Sequence, residues 1–430
     1  MAGRLSWGLA DQAVSSLTNF AVGIYVARSL GVIAFGIFSL ALVTYSMVLN
    51  VSRGLGTDPL MVRFSGAAHD VWRGAVARSS GTALRVGILA GLVCLLIGFG
   101  LHGIEMGGKF GKAFFGLGLV LPALMLQDSW RYAFFAAGQG RKAFVNDVVW
   151  GLALVPLLFF AAHRGSVVGS VLAWGLSAGV AAGYGCVQAG VLPRLGGVRG
   201  WLLEHRDLGP RYLIENATNS GAAQLRFYGV GAISGLAAVG TIRGAELLLG
   251  PFLAVLMGMS LVTVAEAART LRNHPHRLRH FCVVVGGGQA AGSLLWGLAL
   301  LFFLSDGVGG FILGQVWLPA SALILPVTLG VVGASLATGA SAGLRALGAA
   351  RRSLRSQLFT SSLFVTLGIG GAAINGSLGS AWGVAAASLS GSVMWWYQLR
   401  SGLREYWNSP PADLAPAAIA STSQTEMRMS

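Results

Sequence analysis

Charged residues are scarce in this sequence. Only 10% of its 430 residues are Asp, Glu, Lys or Arg, while 54% are hydrophobic. A soluble globular domain carries about 25% charged residues. A chain in water cannot cover this much apolar surface, so the lipid bilayer must be its main solvent. The shortage of charge therefore excludes an ordinary soluble protein and predicts an all-α polytopic membrane protein.

Acidic residues are even scarcer than basic ones. The chain has 15 Asp and Glu against 30 Lys and Arg, which gives a net charge of +15. The basic residues are spread over short segments between apolar runs and form no basic domain. This distribution argues against a nucleic-acid-binding protein. Anionic membrane lipids are the partners it indicates, because positive charge collects on the cytoplasmic side of membrane proteins.

Disulfide frameworks, metal-ligand clusters and nucleotide-binding motifs are also missing from the sequence. The cysteines lie in apolar runs at irregular spacing: Cys94, Cys186 and Cys282. This pattern predicts neither disulfides nor a metal site. His274, His276 and His280 share a basic segment without a neighbouring cysteine or carboxylate, so we expect a solvated loop there. The glycines before Lys109 and Lys112 lack the spacing of a phosphate-binding loop. We therefore expect no metal and no cofactor.

Long apolar runs fill most of the chain, and about 20 such residues cross the hydrocarbon core as a helix. We predict twelve transmembrane helices in two parallel six-helix repeats. The first six predicted helices are Leu5 to Ala27, Ala34 to Val51, Ala83 to Leu101, Phe114 to Ala137, Ala143 to Ala162 and Val167 to Ala189. The second six are Tyr212 to Ile233, Val239 to Val262, Phe281 to Leu304, Ala320 to Leu344, Ser356 to Ile374 and Trp382 to Leu399.

These helices predict an N-terminal bundle over 1–192, a basic cytoplasmic connector over 193–211, a C-terminal bundle over 212–407 and a disordered tail over 408–430. Every second connection is rich in arginine, which places both termini in the cytoplasm and the chain in the cell inner membrane. We call the face with the arginine-rich connections the arginine-rich side. We call the opposite face the Gly31 side, because the predicted turn at Gly31 lies there. Polar residues in the first apolar run predict a retained helix rather than a cleaved signal peptide.

The two halves resemble each other when the sequence is shifted by 204 positions. The shift pairs residues of the first two helices with those of the seventh and eighth: Asp11 with Glu215, Gln12 with Asn216, Ser16 with Ser220, Gly31 with Gly235 and Gly36 with Gly240. A shift of 210 pairs the turn at Gly138 with that at Gly348. Single matches arise by chance, but matched acids, amides and turns at equal depth indicate a parallel repeat.

Polar side chains line one face of the first and seventh helices. Asp11 and Asn19 mark this face on the first helix, and Glu215 and Asn219 mark it on the seventh. Because polar groups are costly in lipid, we predict a shared polar cavity between the halves, at the seam where the first and seventh helices meet, with Asp11, Glu215 and Glu246 as coupling or cavity acids. The alternative is that these side chains only join helices by hydrogen bonds.

Three arginines are candidate substrate ligands. Arg226 and Arg243 lie within predicted membrane spans, and Arg243 is three residues before Glu246, a spacing that also permits a structural ion pair. Arg53 lies at the inner end of the second helix, where it reaches the cavity mouth or simply anchors the topology.

The fourth helix carries a further set of charges. Asp128 and Arg131 are three residues apart, and Asp147 on the fifth helix is a candidate partner for them. Because opposite charges at this spacing pair on one helix face, we predict a structural charge network rather than a ligand site.

Two segments resemble the polysaccharide-transporter branch of the multidrug/oligosaccharidyl-lipid/polysaccharide (MOP) exporter superfamily. Residues 10–63 combine a polar first helix, the LGxxxFG turn at Leu30 to Gly36 and an apolar second helix that ends near Arg53. Residues 127–147 add the sequence QDSWRYAFFAAGQGRKAFVND, with its short basic hairpin.

The resemblance implies two six-helix bundles in a V around a central cavity lined by helices 1, 2, 7 and 8. It also implies alternating access and flipping of undecaprenyl-diphosphate-linked oligosaccharide or polysaccharide precursors. Arg53, Arg226 and Arg243 match the residue type that engages the diphosphate, and Asn19 and Asn219 belong to the polar stripe that faces sugar hydroxyls. Polysaccharide polymerase or glycosyltransferase machinery is the partner that this role implies.

Two other functions remain open from the residues. A cation-coupled exporter of small amphipathic molecules uses the same fold and predicts a cavity rich in carboxylates and aromatics. An integral membrane glycosyltransferase or polymerase needs catalytic acids near a large outer loop. The first outer connection is only a few residues long, and Asp306 is the single acid in the outer loop of its half, so we expect a transporter and not an enzyme.

Overall fold

The computed structural model describes residues 2–101 and 107–408, and every regular element in those ranges is helical. This confirms the predicted all-α class. Inside the helices, the side chains of Asp11, Glu215 and Asn219 lie outside the described part, so their predicted roles are not tested. The predicted tail also lies outside it, apart from Asn408, which is the last residue of a helix.

Long helices follow one another with short connections. The first half comprises α1 Ala2–Leu30, α2 Val32–Ser52, α3 Asp58–Phe64, α4 His69–Gly100, α5 Gly107–Ala136, α6 Gly140–His163 and α7 Val167–Ala189. The connector holds α8 Val198–Glu204. The second half comprises α9 Gly209–Asn273, α10 Leu278–Phe303, α11 Asp306–Leu313, α12 Trp317–Ser321, α13 Ile324–Ala346 and α14 Ala350–Asn408.

Nine helices of the described chain are long and apolar enough to cross a membrane, so this is a multi-pass membrane protein. Helix α1 is not among the nine, and its side chains are described only from Val14 onward. Two of the nine are broken by non-helical backbone, α9 at Gly235 and α14 at Asn375 and Gly376. The breaks divide α9 into a first arm, 209–234, and a second arm, 236–273. The count of twelve stays a prediction.

Several predicted helix ends are wrong, most often because the helix continues beyond its apolar part. The second helix passes Val51 through a π-helical turn, Arg53–Thr57, into α3. The third begins at His69 rather than Ala83. Hydropathy detects only the residues that suit hydrocarbon, whereas backbone hydrogen bonding carries the helix into the polar interface. For the same reason the predicted connection between the seventh and eighth helices shrinks to Gly235.

The turns of the two halves have the same backbone conformation. Gly31 has φ 77° and ψ 174°, and Gly235 has φ 81° and ψ 174°. The second matched pair agrees as well, with φ 69° at Gly138 and 67° at Gly348. Residues with a Cβ rarely adopt these angles, so glycine is required at all four positions. The conformations support the internal repeat that the sequence shifts predict.

The halves meet at a close helix crossing near the Gly31 side. A Cβ on Gly36 would lie 1.8 Å from the Leu236 carbonyl oxygen, and one on Gly240 would lie 2.1 Å from that of Val32. The shift of 204 pairs Val32 with Leu236 and Gly36 with Gly240, so the two contacts are equivalent. The crossing therefore has approximate two-fold symmetry, and only glycine allows the backbones to approach this closely.

Away from the crossing, helices from the two halves pack in pairs. Helix α2 lies along the first arm of α9, where Asn50 donates to the Ser220 hydroxyl and Asn216 donates to Asp58 Oδ2 at 3.0 Å. Helix α1 lies against the second arm, where a Cβ on Gly23 would reach Leu247. We expected the first and seventh helices to meet each other. Away from the crossing, these side-chain contacts instead pair helix 2 with helix 7 and helix 1 with helix 8.

Candidate functional site

Three charged side chains of α9 form a cluster that we call the C-half cluster: Arg226, Arg243 and Glu246. Arg226 Nη2 donates to Glu246 Oε1 at 2.7 Å, and Arg243 Nη1 donates to Oε2 at 3.0 Å. The i+3 pair was foreseen as an alternative from the sequence, but the pair across the α9 break was not. Two guanidinium groups therefore share one carboxylate, which leaves the cluster with one excess positive charge.

Aromatic rings and a glycine hold the two arginines in place. The Phe227 ring contacts both, with its centroid 4.5 Å from Arg226 Cζ and 5.4 Å from Arg243 Cζ. Such cation–π contacts stabilise a guanidinium that has left water. A Cβ on Gly368 of α14 would lie 3.0 Å from Arg226 Cδ, so this glycine makes room for the arginine stem. Nothing in the sequence distinguishes Gly368 from the other glycines of the chain, which has 64 of them.

The C-half cluster lies deep in the membrane region. Arg226 precedes Gly235 by nine residues, and Glu246 follows it by eleven. At a rise of about 1.5 Å per residue, these side chains are about 14–17 Å from the turn on the Gly31 side. Since the hydrocarbon core is about 30 Å thick, the cluster is near its middle.

A cavity of about 260 Å³ adjoins this cluster. Arg226 and Glu246 contribute to its wall, together with the hydroxyl-bearing Ser335, Thr338 and Ser388 from α13 and α14. The remaining lining side chains are mainly aliphatic. A small set of polar groups in an apolar wall is typical of a binding site that orients its ligand.

A second charge cluster, the N-half cluster, consists of Arg53, Asp128, Arg131 and Asp147. Arg53 makes a bidentate contact with Asp128, at 3.0 Å from Nε and 2.6 Å from Nη2. Arg131 Nη1 lies 4.0 Å from Asp128 Oδ1, and Arg131 Nε lies 3.2 Å from Asp147 Oδ2. Two arginines thus face two aspartates. Arg53, which we considered as a ligand at the cavity mouth or a topology anchor, is engaged in an ion pair instead.

Amide side chains extend the N-half cluster. Gln127 donates to Asp147 Oδ1 at 2.9 Å, and the neighbouring Asn146 donates to the Ala181 carbonyl at 2.8 Å. All of these side chains are buried. The Tyr132 ring adds a cation–π contact to Arg53, at 5.0 Å. Balanced, buried and hydrogen-bonded charges of this kind are suited to holding helices together.

The polar face of α1 is visible at Asn19. This side chain is exposed and lies one turn before Gly23, where α1 packs against α9. The structure also reveals Asp58, the partner of Asn216, which sequence reasoning missed. The available sequence signal was the pair Asp58-Pro59, because an acidic residue followed by proline is common at a helix start.

No protein-family model and no curated protein matches the chain in sequence. Solved structures do match its fold. An inward-facing multidrug resistance MATE family transporter of the MOP superfamily has a TM-score of 0.69 and 15% identity, covering 92% of this chain and 96% of that one. The lipid II flippase MurJ in an inward closed conformation has a TM-score of 0.69 and 11% identity, covering 93% and 89%.

A MOP superfamily transporter from Pyrococcus furiosus, whose report describes a binding pocket of reversed polarity, has a TM-score of 0.57 and 16% identity, covering 93% and 95%. The similarity extends over nearly the whole of each chain, including both halves. The sequence resemblance had indicated the same superfamily. The chain has the fold of the MOP-superfamily transporters.

Proposed function

We propose that this protein is a MOP-type transporter that flips lipid-linked oligosaccharide or polysaccharide precursors, with an undecaprenyl-diphosphate anchor, by alternating access. The observation that carries the proposal is the C-half cluster, in which Arg226 and Arg243 face a single carboxylate near the middle of the membrane. A diphosphate that crosses the bilayer needs such a compensating charge at mid-depth.

Guanidinium geometry suits this substrate. Each planar guanidinium can donate two parallel hydrogen bonds to phosphate oxygens, and such charge-assisted bonds are stronger outside water. Arg243 is the more accessible arginine, with a side chain that is 32% exposed against 4% for Arg226. We assign the first contact with phosphate to Arg243 and a supporting role to Arg226. Asn19 and Asn219 are the proposed contacts for sugar hydroxyls.

A flipping assay tests the proposal. The protein is reconstituted with a labelled undecaprenyl-diphosphate sugar, and transfer is measured as protection from a reagent added outside. We expect the Arg226→Ala, Arg243→Ala double variant to lose at least tenfold in rate, because the diphosphate then crosses without compensating charge. Arg85→Gln is the matched control, since Arg85 is an exposed arginine in the membrane helix α4 outside both clusters.

Transfer at the normal rate by the double variant, with the control also unchanged, would remove the assignment of these arginines. A panel of lipid-linked glycans in the same assay identifies the sugar.

Polymerases and glycosyltransferases are proposed as the proteins that use the flipped product. Asp11, Glu215 and Glu246 are proposed as coupling acids, and a transport rate independent of pH and of sodium would argue against this role.

The second candidate function is cation-coupled export of small amphipathic molecules. The cavity beside Glu246 favours it, because its volume of about 260 Å³ and its aliphatic lining suit a small ligand better than a glycan. One neighbour in fold is a multidrug resistance transporter. The excess positive charge of the cluster opposes cationic drugs. Drug accumulation in cells that produce the protein separates the two functions.

A further inference from the structure

A groove on the arginine-rich side of the second half is lined by three arginines and two tryptophans. Its volume is about 560 Å³, and it lies between the start of α10 and the end of α14. Arg279 comes from α10, and Arg400 and Arg404 come from α14. Trp396 and Trp407 complete its rim. The groove is separate from both charge clusters.

One face of α14 changes character at this groove. Val393, Tyr397, Arg400, Arg404 and Trp407 follow spacings of three and four residues and therefore share a helix face. Val393 and Tyr397 are 69% and 63% exposed, as expected of side chains that face lipid tails. One turn later the same face carries the two arginines. The groove is thus continuous with the lipid-facing surface, at the level where hydrocarbon gives way to headgroups.

The floor of the groove is apolar, and its arginines lack carboxylate partners. Leu399 and Leu403 form the floor and are buried. None of the ion pairs within residues 2–101 and 107–408 includes Arg279, Arg400 or Arg404.

Nearby acids are engaged with other arginines. Glu405 pairs with Arg352, and Glu266 lies 4.0 Å from Arg269. Three positive charges therefore remain uncompensated around one apolar groove. Topology alone requires positive charge on this side but does not require that it surround a groove.

We propose that this groove binds the phosphate headgroup of an anionic phospholipid from the leaflet on the arginine-rich side. The three guanidinium groups complement the phosphate charge and can contact its oxygens bidentately. The leucine floor and the lipid-facing stripe receive the glycerol and the start of the acyl chains. Trp407, which is 52% exposed, has the amphipathic ring that collects at the headgroup level. Basic grooves between membrane helices on this side are known to suit such headgroups.

The test compares two triple variants of the full chain in detergent. The groove variant carries Arg279→Gln, Arg400→Gln and Arg404→Gln. The control carries Arg199→Gln, Arg206→Gln and Arg272→Gln, which remove the same charge from exposed arginines outside the groove. Native mass spectrometry measures binding of phosphatidylglycerol and cardiolipin, with phosphatidylcholine as the neutral lipid. A single Arg404→Glu variant, compared with Arg199→Glu, repeats the test with a smaller change.

We expect the groove variant to lose at least tenfold in affinity for the anionic lipids, the control to stay within twofold, and phosphatidylcholine to bind both equally weakly. Equal loss in both variants would show a diffuse charge effect and overturn the proposal. Competition by inorganic pyrophosphate as effective as the lipid itself would reassign the groove to a soluble phosphate compound. Anionic-lipid binding that appears only after removal of residues 409–430 would assign the groove to the chain's own tail.

Discussion

The two charge clusters differ in charge balance and in whether a cavity lies beside them. The N-half cluster sets Arg53 and Arg131 against Asp128 and Asp147, and Gln127 adds a hydrogen bond to Asp147. The C-half cluster sets two arginines against Glu246 alone, beside a cavity. Breaking a buried pair costs more than forming it gains, so a balanced cluster fixes helices. An unbalanced cluster beside a cavity keeps charge available for a ligand.

The internal repeat makes this difference informative. Under the shift of 210, Asp128, Arg131 and Asp147 correspond to uncharged residues of the second half: Thr338, Ser341 and Gln357. Under the shift of 204, Arg226, Arg243 and Glu246 correspond to uncharged residues of the first half: Val22, Ser39 and Leu42. The halves share turns and a crossing but neither cluster. The charged residues therefore lie at different positions in the two halves. This difference is expected if one half uses its charges to stabilise the fold and the other uses them to bind a ligand.

The largest effect on stability is expected from Asp128→Asn in the N-half cluster. This change leaves Arg53 without its bidentate carboxylate and weakens the environment of Arg131, both of which are substantially buried. Removing one partner of a buried ion pair costs about 3–5 kcal/mol. We expect this loss in the free energy of unfolding, measured by thermal unfolding in detergent.

Asp207→Asn is the control for that experiment. Asp207 pairs with Arg63 at 2.7 Å, but its side chain is 52% exposed, and exposed pairs contribute about 0–1 kcal/mol. Equal, small effects of the two substitutions would contradict a structural role for the N-half cluster.

The next largest loss of stability is expected at the crossing between the two halves. Gly36→Ala and Gly240→Ala each place a methyl group within about 2 Å of a backbone carbonyl oxygen on the opposite half. Overpacking of this kind costs about 3 kcal/mol, and the symmetry of the crossing predicts equal costs for the two variants. Gly183→Ala is the control, because nothing lies within 4 Å of a Cβ built there. A twofold or larger difference between the two costs would show that the crossing is not symmetric in energy.

How much of this was predictable depends on the kind of interaction. The turns at Gly31 and Gly235 and the α-helical class follow from local rules, because apolar length and glycine punctuation act within a few residues. The pair between Arg243 and Glu246 was also foreseen, because it joins residues on one helix turn. The pair between Arg226 and Glu246 was not foreseen. It joins residues twenty positions apart across a break, and only the packing of the two arms decides it.

Substitution of the turn glycines should cause a smaller loss of stability, which reports on backbone conformation alone at Gly235. Gly235→Ala meets no atom within 4 Å, so its cost is purely conformational and amounts to about 2 kcal/mol for a residue at φ 81° and ψ 174°. Gly31→Ala has nearly the same angles but also brings its methyl group within 2.8 Å of Gln315 Oε1, the end of a flexible side chain. We expect equal or slightly larger destabilisation by Gly31→Ala in thermal unfolding. A clearly larger loss at Gly235 would contradict the equivalence of the two turns.

The smallest effect on stability, and the sharpest test of the comparison, is expected from Arg243→Gln. Its side chain is partly exposed, and Glu246 keeps its contact with Arg226, so the free energy of unfolding should fall by less than about 1 kcal/mol. The excess positive charge disappears, however, and affinity for a diphosphate lipid should fall at least tenfold, with a weaker dependence on salt.

Arg131→Gln is the counterpart in the N-half cluster. It should cost much more stability, because it strips a buried contact from Asp147, yet leave the affinity of the protein that remains folded unchanged. If both substitutions lowered affinity in proportion to stability, ligand binding would depend on folding alone, and the two clusters would not have separate roles.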